Sequence, residues 1–162
     1  MYESFYHLRD KPFQLNPDPR FFFASKGHKR AFAYLEYGLS LGEGFIVITG
    51  DVGAGKTLLV KSLLKKLENG SYLIGQLVST QLDADDTLRS VCASFGLQAE
   101  GLTKSALLKS LEDYLRLAVR QNRRPLLIVD EAQNLNPRAV EELRMLSNFH
   151  EGDKSLLQSF LL

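Results

Sequence analysis

The chain has 162 residues, 44% of them hydrophobic, with 10 Phe, 6 Tyr and no Trp, a composition that can bury one sizeable core as one domain and is not that of a disordered segment. Its 20 basic and 19 acidic residues give a net charge of +1, which argues against a dedicated nucleic-acid-binding face. A single cysteine, Cys92, excludes an internal disulfide framework and a cysteine-built zinc site, and no stretch approaches the roughly 18 apolar residues of a membrane span.

The N-terminus has no apolar run of the signal-peptide kind, so a cytoplasmic location is expected. Residues 1–25 are rich in aromatics and proline: Lys11-Pro12-Phe13, then Asn16-Pro17-Asp18-Pro19-Arg20-Phe21-Phe22-Phe23. Their prolines deny a regular helix or central strand, and the aromatics need cover, so this segment should wrap onto the main core. Lys26 to Leu41 reads as a helix, with Ala31, Leu35 and Leu39 on one stripe and Gly42 near its end. Phe45-Ile-Val-Ile-Thr49 is a continuous apolar run suited to a buried parallel strand.

After a loop at Gly50–Thr57, Leu58 to Leu67 reads as a helix. Leu59, Leu63 and Leu67 should face inward, Lys61, Lys65 and Lys66 outward, with Asn69-Gly70 as the stop. Tyr72–Val78 is a second strand. Asp86–Phe95 is a helix whose Leu88, Val91, Cys92 and Phe95 form a buried face, making Cys92 a core thiol. Thr103–Gln121 is a longer helix with Leu107, Leu108, Leu111, Tyr114, Leu115, Ala118 and Val119 inward. Arg120, Arg123 and Arg124 read as a solvated cluster favouring that helix's C-terminus.

Leu126-Leu-Ile-Val129 is a third buried strand, and Asn136-Pro137 opens a helix in the favoured N-cap and first-turn arrangement, continuing through Val140, Leu143, Leu146 and Phe149. Gly152 and Asp153 mark a turn, and Ser155–Leu162 reads as a fourth strand. Strands alternating with helices at this spacing predict an α/β fold, a parallel sheet with helices on both faces. The expected division is an N-terminal segment and helix, residues 1–43, packed on a nucleotide-binding core, residues 44–162.

Gly50-Asp-Val-Gly53-Ala-Gly55-Lys56-Thr57 fits the P-loop (Walker A) pattern Gly-x-x-x-x-Gly-Lys-[Ser/Thr]. Glycines let the backbone curl with its N–H groups inward as a nest for phosphate oxygens, and the following helix adds its N-terminal dipole. Gly50, Asp51, Val52, Gly53, Ala54, Gly55, Lys56, Thr57 and Leu58 are therefore the candidate nucleotide contacts. Lys56 would reach the β- and γ-phosphates, and the Thr57 hydroxyl would be a Mg²⁺ ligand. The motif lies between a strand and a helix, the context it requires.

Asp130-Glu131 follows the third strand directly, as a Walker B pair. An acid at that strand tip faces the same sheet edge as the P-loop. Asp130 would hold Mg²⁺ through water, and Glu131 would act as general base on an attacking water, favouring hydrolysis. Gln133 and Asn134 could place water or sense the γ-phosphate, or could simply be polar residues at a helix entry. ATP is favoured over GTP because no Asn-Lys-x-Asp motif is present. His7, His28 and His150 lack metal-ligand spacing, and His28 should pack or hydrogen-bond at its helix start.

With these motifs placed, the whole chain resembles the AAA-type ATPases of the general secretion pathway protein A (ExeA-like) family, including those of exosortase and polysaccharide-export loci. The resemblance rests on Tyr2, Phe5, Lys11-Pro12-Phe13, Pro17-Asp18-Pro19, Phe21, Ser25, His28, Tyr37-Gly38-Leu39, Gly44-Phe45, Thr49-Gly50 and Asp130-Glu131-Ala132-Gln133. It implies cytoplasmic hydrolysis of ATP with Mg²⁺, driving secretion or surface-polymer export. Homo-oligomerisation and contact with the export machinery are expected, as is inner-membrane association of the full-length protein.

The resemblance also implies that the aromatic N-terminus sits beside the adenine; Phe13, Phe21 and Phe23 lack another obvious partner, and part of this segment is expected to line that pocket. Plain core packing is the alternative reading for them. The fold class places the fourth strand between the first and third. In the family that strand leads on to a sensor region, a fifth strand and a helical lid, so the chain reads as a domain truncated after its fourth core strand. It should turn ATP over slowly and self-associate through the first strand's edge. A DNA-associated AAA ATPase of transposition or replication-initiation type is the alternative function, and a nucleotide-dependent assembly scaffold is a third.

Overall fold

The computed structural model describes residues 2–8, 22–42, 44–67, 70–78 and 83–162. Its helices are α1 (Tyr2–Phe5), α2 (Lys26–Leu41), α3 (Lys56–Leu67), α4 (Ala84–Ser94), α5 (Lys104–Arg120) and α6 (Pro137–Leu146). Its strands are β1 (Phe45–Val47), β2 (Tyr72–Val78), β3 (Arg124–Asp130), β4 (His150–Glu151), β5 (Lys154–Ser155) and β6 (Gln158–Leu161). β1, β6, β3 and β2 form a four-stranded parallel sheet in that order, so β6 lies between β1 and β3 as expected.

Alternation along the strands sorts the apolar side chains into two cores, one on each face. Leu127 and Val129 of β3, with Leu157 and Leu161 around β6, join Leu88, Val91, Leu111, Leu115 and Leu143 from α4, α5 and α6. Leu126, Ile128, Phe160 and Leu162 face the other way, onto Leu35 and Leu39 of α2 and Leu59, Val60, Leu63 and Leu64 of α3. This is the parallel sheet covered on both faces that the sequence predicts. A leucine buried this fully is worth roughly 1.5–3 kcal/mol over its exposed state.

Local chemistry sets the element ends. Ser25, Asp83, Thr103 and Asn136 each cap a helix by accepting a backbone N–H with the side chain. Gly42 ends α2 in the left-handed region at φ 75°. In the last turn of α2, Gly38 permits close approach to β1, because a Cβ there would lie 2.6 Å from Ile46 Cδ1.

Several expected boundaries move. The fourth sheet strand starts at Gln158, because Lys154–Ser155 pairs instead with His150–Glu151 in an antiparallel hairpin turning at Gly152. Helix α6 stops at Leu146, and Phe149 packs against the core from beyond it. Val140 of α6 is exposed. Arg124 opens β3 instead of belonging to a solvated helix end: its Nη2 donates to the Leu39 carbonyl at 2.6 Å and its Nη1 to the Tyr72 hydroxyl at 3.2 Å.

The N-terminal aromatics divide. Phe22 packs against the α2–α3 core, whereas Phe23 is 84% exposed and Phe5 77% exposed, contrary to the expectation that the segment covers them. Phe13 and Phe21, with the prolines between them, lie outside the described residues. Cys92 is fully buried, as expected, and burial raises its thiol pKa above the ordinary value.

Candidate functional site

The C-terminal ends of β1 and β3 point to one edge of the sheet, and β6 between them brings Leu162 to the same edge. Leu162 extends the ladder, donating to the Val129 carbonyl at 3.0 Å and accepting from the Ala132 N–H at 2.7 Å. The loop after β1 runs directly into the first turn of α3. Gly53 and Gly55 adopt φ of 80° and 86°, the left-handed region in which a side chain is strained. At Gly53 a Cβ would meet nothing within 4 Å, so conformation and not space requires glycine there.

Lys56 folds back into the loop, its Nζ donating to the carbonyls of Gly50 at 2.9 Å and Asp51 at 3.2 Å. The Asp51 carbonyl also accepts from the Ala54 N–H at 3.1 Å. The lysine's charge is thus held over the loop, beside the N-terminus of α3, where unpaired backbone N–H groups favour an anion. Opposite it, Thr57 Oγ1 lies 3.2 Å and 3.1 Å from the two oxygens of the Asp130 carboxylate.

Immediately after β3 the backbone turns sharply. Glu131 sits in the left-handed region at φ 57°, ψ 38°, uncommon for a residue with a long side chain. Its N–H donates to Asp130 Oδ1 at 3.0 Å, and its carboxylate accepts a hydrogen bond from Gln133 Nε2. The turn keeps Glu131 exposed and aimed at the loop side of the sheet edge, and Ala132–Asn134 continues as a 3₁₀ turn into α6.

These groups enclose a cleft of about 330 Å³. Of the expected nucleotide contacts, Val52, Gly53, Gly55, Lys56, Thr57 and Leu58 line it, together with Asp130, Glu131, Gln133 and Leu162. Gly50, Asp51 and Ala54 do not line it; their carbonyls shape the loop from behind through Lys56, Ala54 and His28. Gln133 is at the cleft, whereas Asn134 is not. Phe23 is likewise absent from the lining.

Two participants were not legible in the sequence. Leu162 carries no motif, and only the position of β6 brings it to the cleft. His28 does hydrogen-bond at its helix start, with Nδ1 2.8 Å from Ser25 Oγ, but its Nε2 also reaches the Ala54 carbonyl at 3.0 Å. That contact spans 26 positions of sequence, so no local spacing signals it. The Arg120–Arg124 cluster stands at the other end of β3 from Asp130, where Arg120 pairs with Glu151 at 3.8 Å.

The donor set suits Mg²⁺. A hydroxyl and a carboxylate meet at the mouth of an anion-favouring loop, which matches the hard oxygen ligands and retained waters of that ion. Among the described residues, no helix is long and apolar enough to cross a membrane.

Comparison with known proteins finds relatives of this chain in sequence and in fold. The whole chain aligns, at 37% identity over 166 residues, with General secretion pathway protein A of Aeromonas hydrophila, and it spans 30% of that protein's length. The resemblance read from the sequence therefore holds from end to end of the chain. Among solved structures, CDC6P from Pyrobaculum aerophilum superposes with a TM-score of 0.66 at 17% identity, covering 86% of this chain and 40% of that one. The Aeropyrum pernix ORC2 protein gives a TM-score of 0.60 at 22% identity, covering 93% of this chain and 43% of its own. These two likenesses establish the fold. The family described as AAA domain matches residues 40–162. Because that match runs from the end of α2 through the P-loop and the acidic tip of β3 to β6, the chain belongs to the AAA domain family.

Proposed function

We propose that the chain binds ATP with Mg²⁺ in the cleft between the Gly50–Thr57 loop and the tip of β3, and hydrolyses it. The observation that carries this reading is the contact between Thr57 Oγ1 and the Asp130 carboxylate at 3.1 Å, across the mouth of that loop. It joins two otherwise separate motifs into one oxygen-rich site beside a lysine and a helix N-terminus.

The phosphates would lie against the backbone N–H groups from Gly53 to Leu58. Lys56 would leave its carbonyl partners in the loop for the β- and γ-phosphate oxygens, keeping its charge where theirs is. Thr57 and Asp130 would hold Mg²⁺, Thr57 directly and Asp130 through water. When bound, the ion neutralises charge on the phosphate oxygens. Glu131, exposed beside the cleft, would orient the attacking water and accept its proton. Gln133, hydrogen-bonded to the Glu131 carboxylate, would hold that group in place until nucleotide enters.

In the cell this activity would power or switch a bacterial secretion or surface-polymer export system, from the cytoplasmic side where ATP is available. The 37% identity over the full chain to General secretion pathway protein A supports that role. The rest of that protein's length lies outside the alignment, so cargo contacts and assembly into a homo-oligomer belong to the proposal. A DNA-associated role is the second reading, favoured by the fold likeness to CDC6P and ORC2. The near-neutral charge weighs against it.

Phosphate release from ATP, compared between the wild type and Glu131→Gln, tests the chemistry. The variant should keep nucleotide affinity and lose turnover, and unchanged hydrolysis would remove Glu131 from its role. Duplex-DNA binding measured across a salt series separates the cellular readings, since phosphate contacts give a steep salt slope. Tight binding with such a slope would favour the second one.

A further inference from the structure

The His28 side chain stands between the first turn of α2 and the back of the Gly50–Thr57 loop. Its Nδ1 is 2.8 Å from Ser25 Oγ, its Nε2 is 3.0 Å from the Ala54 carbonyl oxygen, and its ring meets Phe22 edge-on at 5.2 Å. A carbonyl oxygen can only accept, so Nε2 carries the hydrogen and donates to it. In the neutral ring Nδ1 then accepts from the Ser25 hydroxyl. Ser25 Oγ also accepts from the His28 backbone N–H at 3.3 Å, so one hydroxyl fixes both the start of α2 and the direction of the ring.

The carbonyl that His28 grips belongs to a special peptide. Ala54 C=O and Gly55 N–H share one trans peptide plane and point in opposite directions. Turning the carbonyl back toward His28 turns the Gly55 N–H away from it, and Gly55 lines the cleft while His28 does not. The peptides on either side have hydrogen bonds of their own, Ala54 N–H to the Asp51 carbonyl at 3.1 Å and Leu59 N–H to the Gly55 carbonyl at 2.9 Å, and the Ala54–Gly55 plane lies between them. Gly55 crosses between backbone wells at small cost, and α3 begins only at Lys56. Among the described residues, no backbone hydrogen bond engages the Gly55 N–H.

We propose that His28 is a positioning residue for the phosphate cradle: its Nε2–H fixes the Ala54–Gly55 peptide so that the Gly55 N–H faces the nucleotide. This rests on the nucleotide-binding reading above. It ties the start of α2 to phosphate binding without placing any aromatic ring on the base. A cradle already in its binding orientation avoids the ordering cost that a freely flipping peptide would incur on binding.

Calorimetric titration of ADP–Mg²⁺ into the wild type, His28→Leu and His28→Gln tests it, with circular dichroism as the check on folding. His28→Leu removes the donor while keeping an apolar body, and affinity should fall on the order of tenfold, the scale of one hydrogen bond to a charged group. His28→Gln offers an amide N–H at similar reach and should recover most of that loss. Equal affinity in wild type and His28→Leu overturns the proposal, as does a folded His28→Gln that binds as weakly as His28→Leu. If the wild type binds no nucleotide at all, the nucleotide reading fails instead. A proton–nitrogen spectrum of the wild-type imidazole tests the geometry independently of any variant or ligand. It should show the Nε2–H tautomer, and the Nδ1–H tautomer would contradict the inference.

Discussion

Thr57 and Asp130 lie 73 positions apart in sequence, yet the Thr57 hydroxyl sits within 3.2 Å of both oxygens of the Asp130 carboxylate. A hydroxyl donates one hydrogen, so this geometry shares it between two acceptors and leaves lone pairs of both residues facing the cleft. If both act on Mg²⁺, their effects should not add. Thr57→Ala and Asp130→Asn should each weaken Mg²⁺-dependent ATP binding, and the double variant should lose less than the two losses combined. Residues sharing one network couple by about 0.5–3 kcal/mol. Affinities measured with and without Mg²⁺ check this, and strictly additive losses would show that the two residues act separately.

The left-handed backbone of Glu131 sets stability against activity at one residue. That conformation costs a residue with a Cβ roughly 1–2 kcal/mol, and glycine avoids this while losing about 0.5–1 kcal/mol to chain entropy. Glu131→Gly should therefore keep or raise the melting temperature while abolishing turnover. A clear fall in melting temperature would mean that the hydrogen bond from Gln133 to the carboxylate outweighs the strain.

Gly75 of β2 is a glycine for want of room. A Cβ there would lie 2.6 Å from Ser94 Oγ and 2.9 Å from the Phe95 ring, where the end of α4 presses on the sheet. Gly75→Ala should destabilise the chain by roughly 1–3 kcal/mol, the usual cost of overpacking. Chemical denaturation measures it, and a neutral result would show that the Phe95 ring gives way freely.

Cys92 offers a prediction in pH. Burial raises its thiol pKa, so the folded state keeps the proton at pH values where the unfolded chain releases it. The unfolded chain then binds fewer protons, and stability falls with rising pH. This contribution is complete below the ordinary thiol pKa and is lost as the pH climbs through the raised, folded-state value. Cys92→Ala, although weaker overall from the lost packing, should show a flatter pH dependence there. A thiol reagent should modify the wild type only as fast as it unfolds, and rapid modification of folded protein would contradict the burial.

How far the sequence speaks is clearest when these residues are compared. The P-loop and the acidic pair after β3 were legible because phosphate and metal binding demand fixed residue types at fixed spacing. β3 was legible because a strand buried on both faces must be apolar throughout. The helix cap at Asn136 followed from side-chain chemistry alone. By contrast, the role of Gly75, the hairpin that claims Ser155 and the reach of His28 to Ala54 are tertiary. Each depends on which element lies alongside, and no local periodicity encodes that. The expectation that the main core covers Phe23 failed for a related reason: apolarity shows that a ring gains from burial, but not that the chain path allows it.

The central claim is that the cleft between the Gly50–Thr57 loop and Asp130 binds ATP–Mg²⁺, and one titration tests it most directly. ATP–Mg²⁺ should be titrated calorimetrically into the wild type and Lys56→Ala, with both shown to be folded by circular dichroism. Lys56 already holds its charge over the loop through the Gly50 and Asp51 carbonyls, so removing it should weaken binding by at least about tenfold, the loss of charge-assisted hydrogen bonds to phosphate. Saturable binding by the wild type with a sharp loss in Lys56→Ala is the predicted result. Equal affinity in the two proteins, or no binding by the folded wild type, would contradict the account.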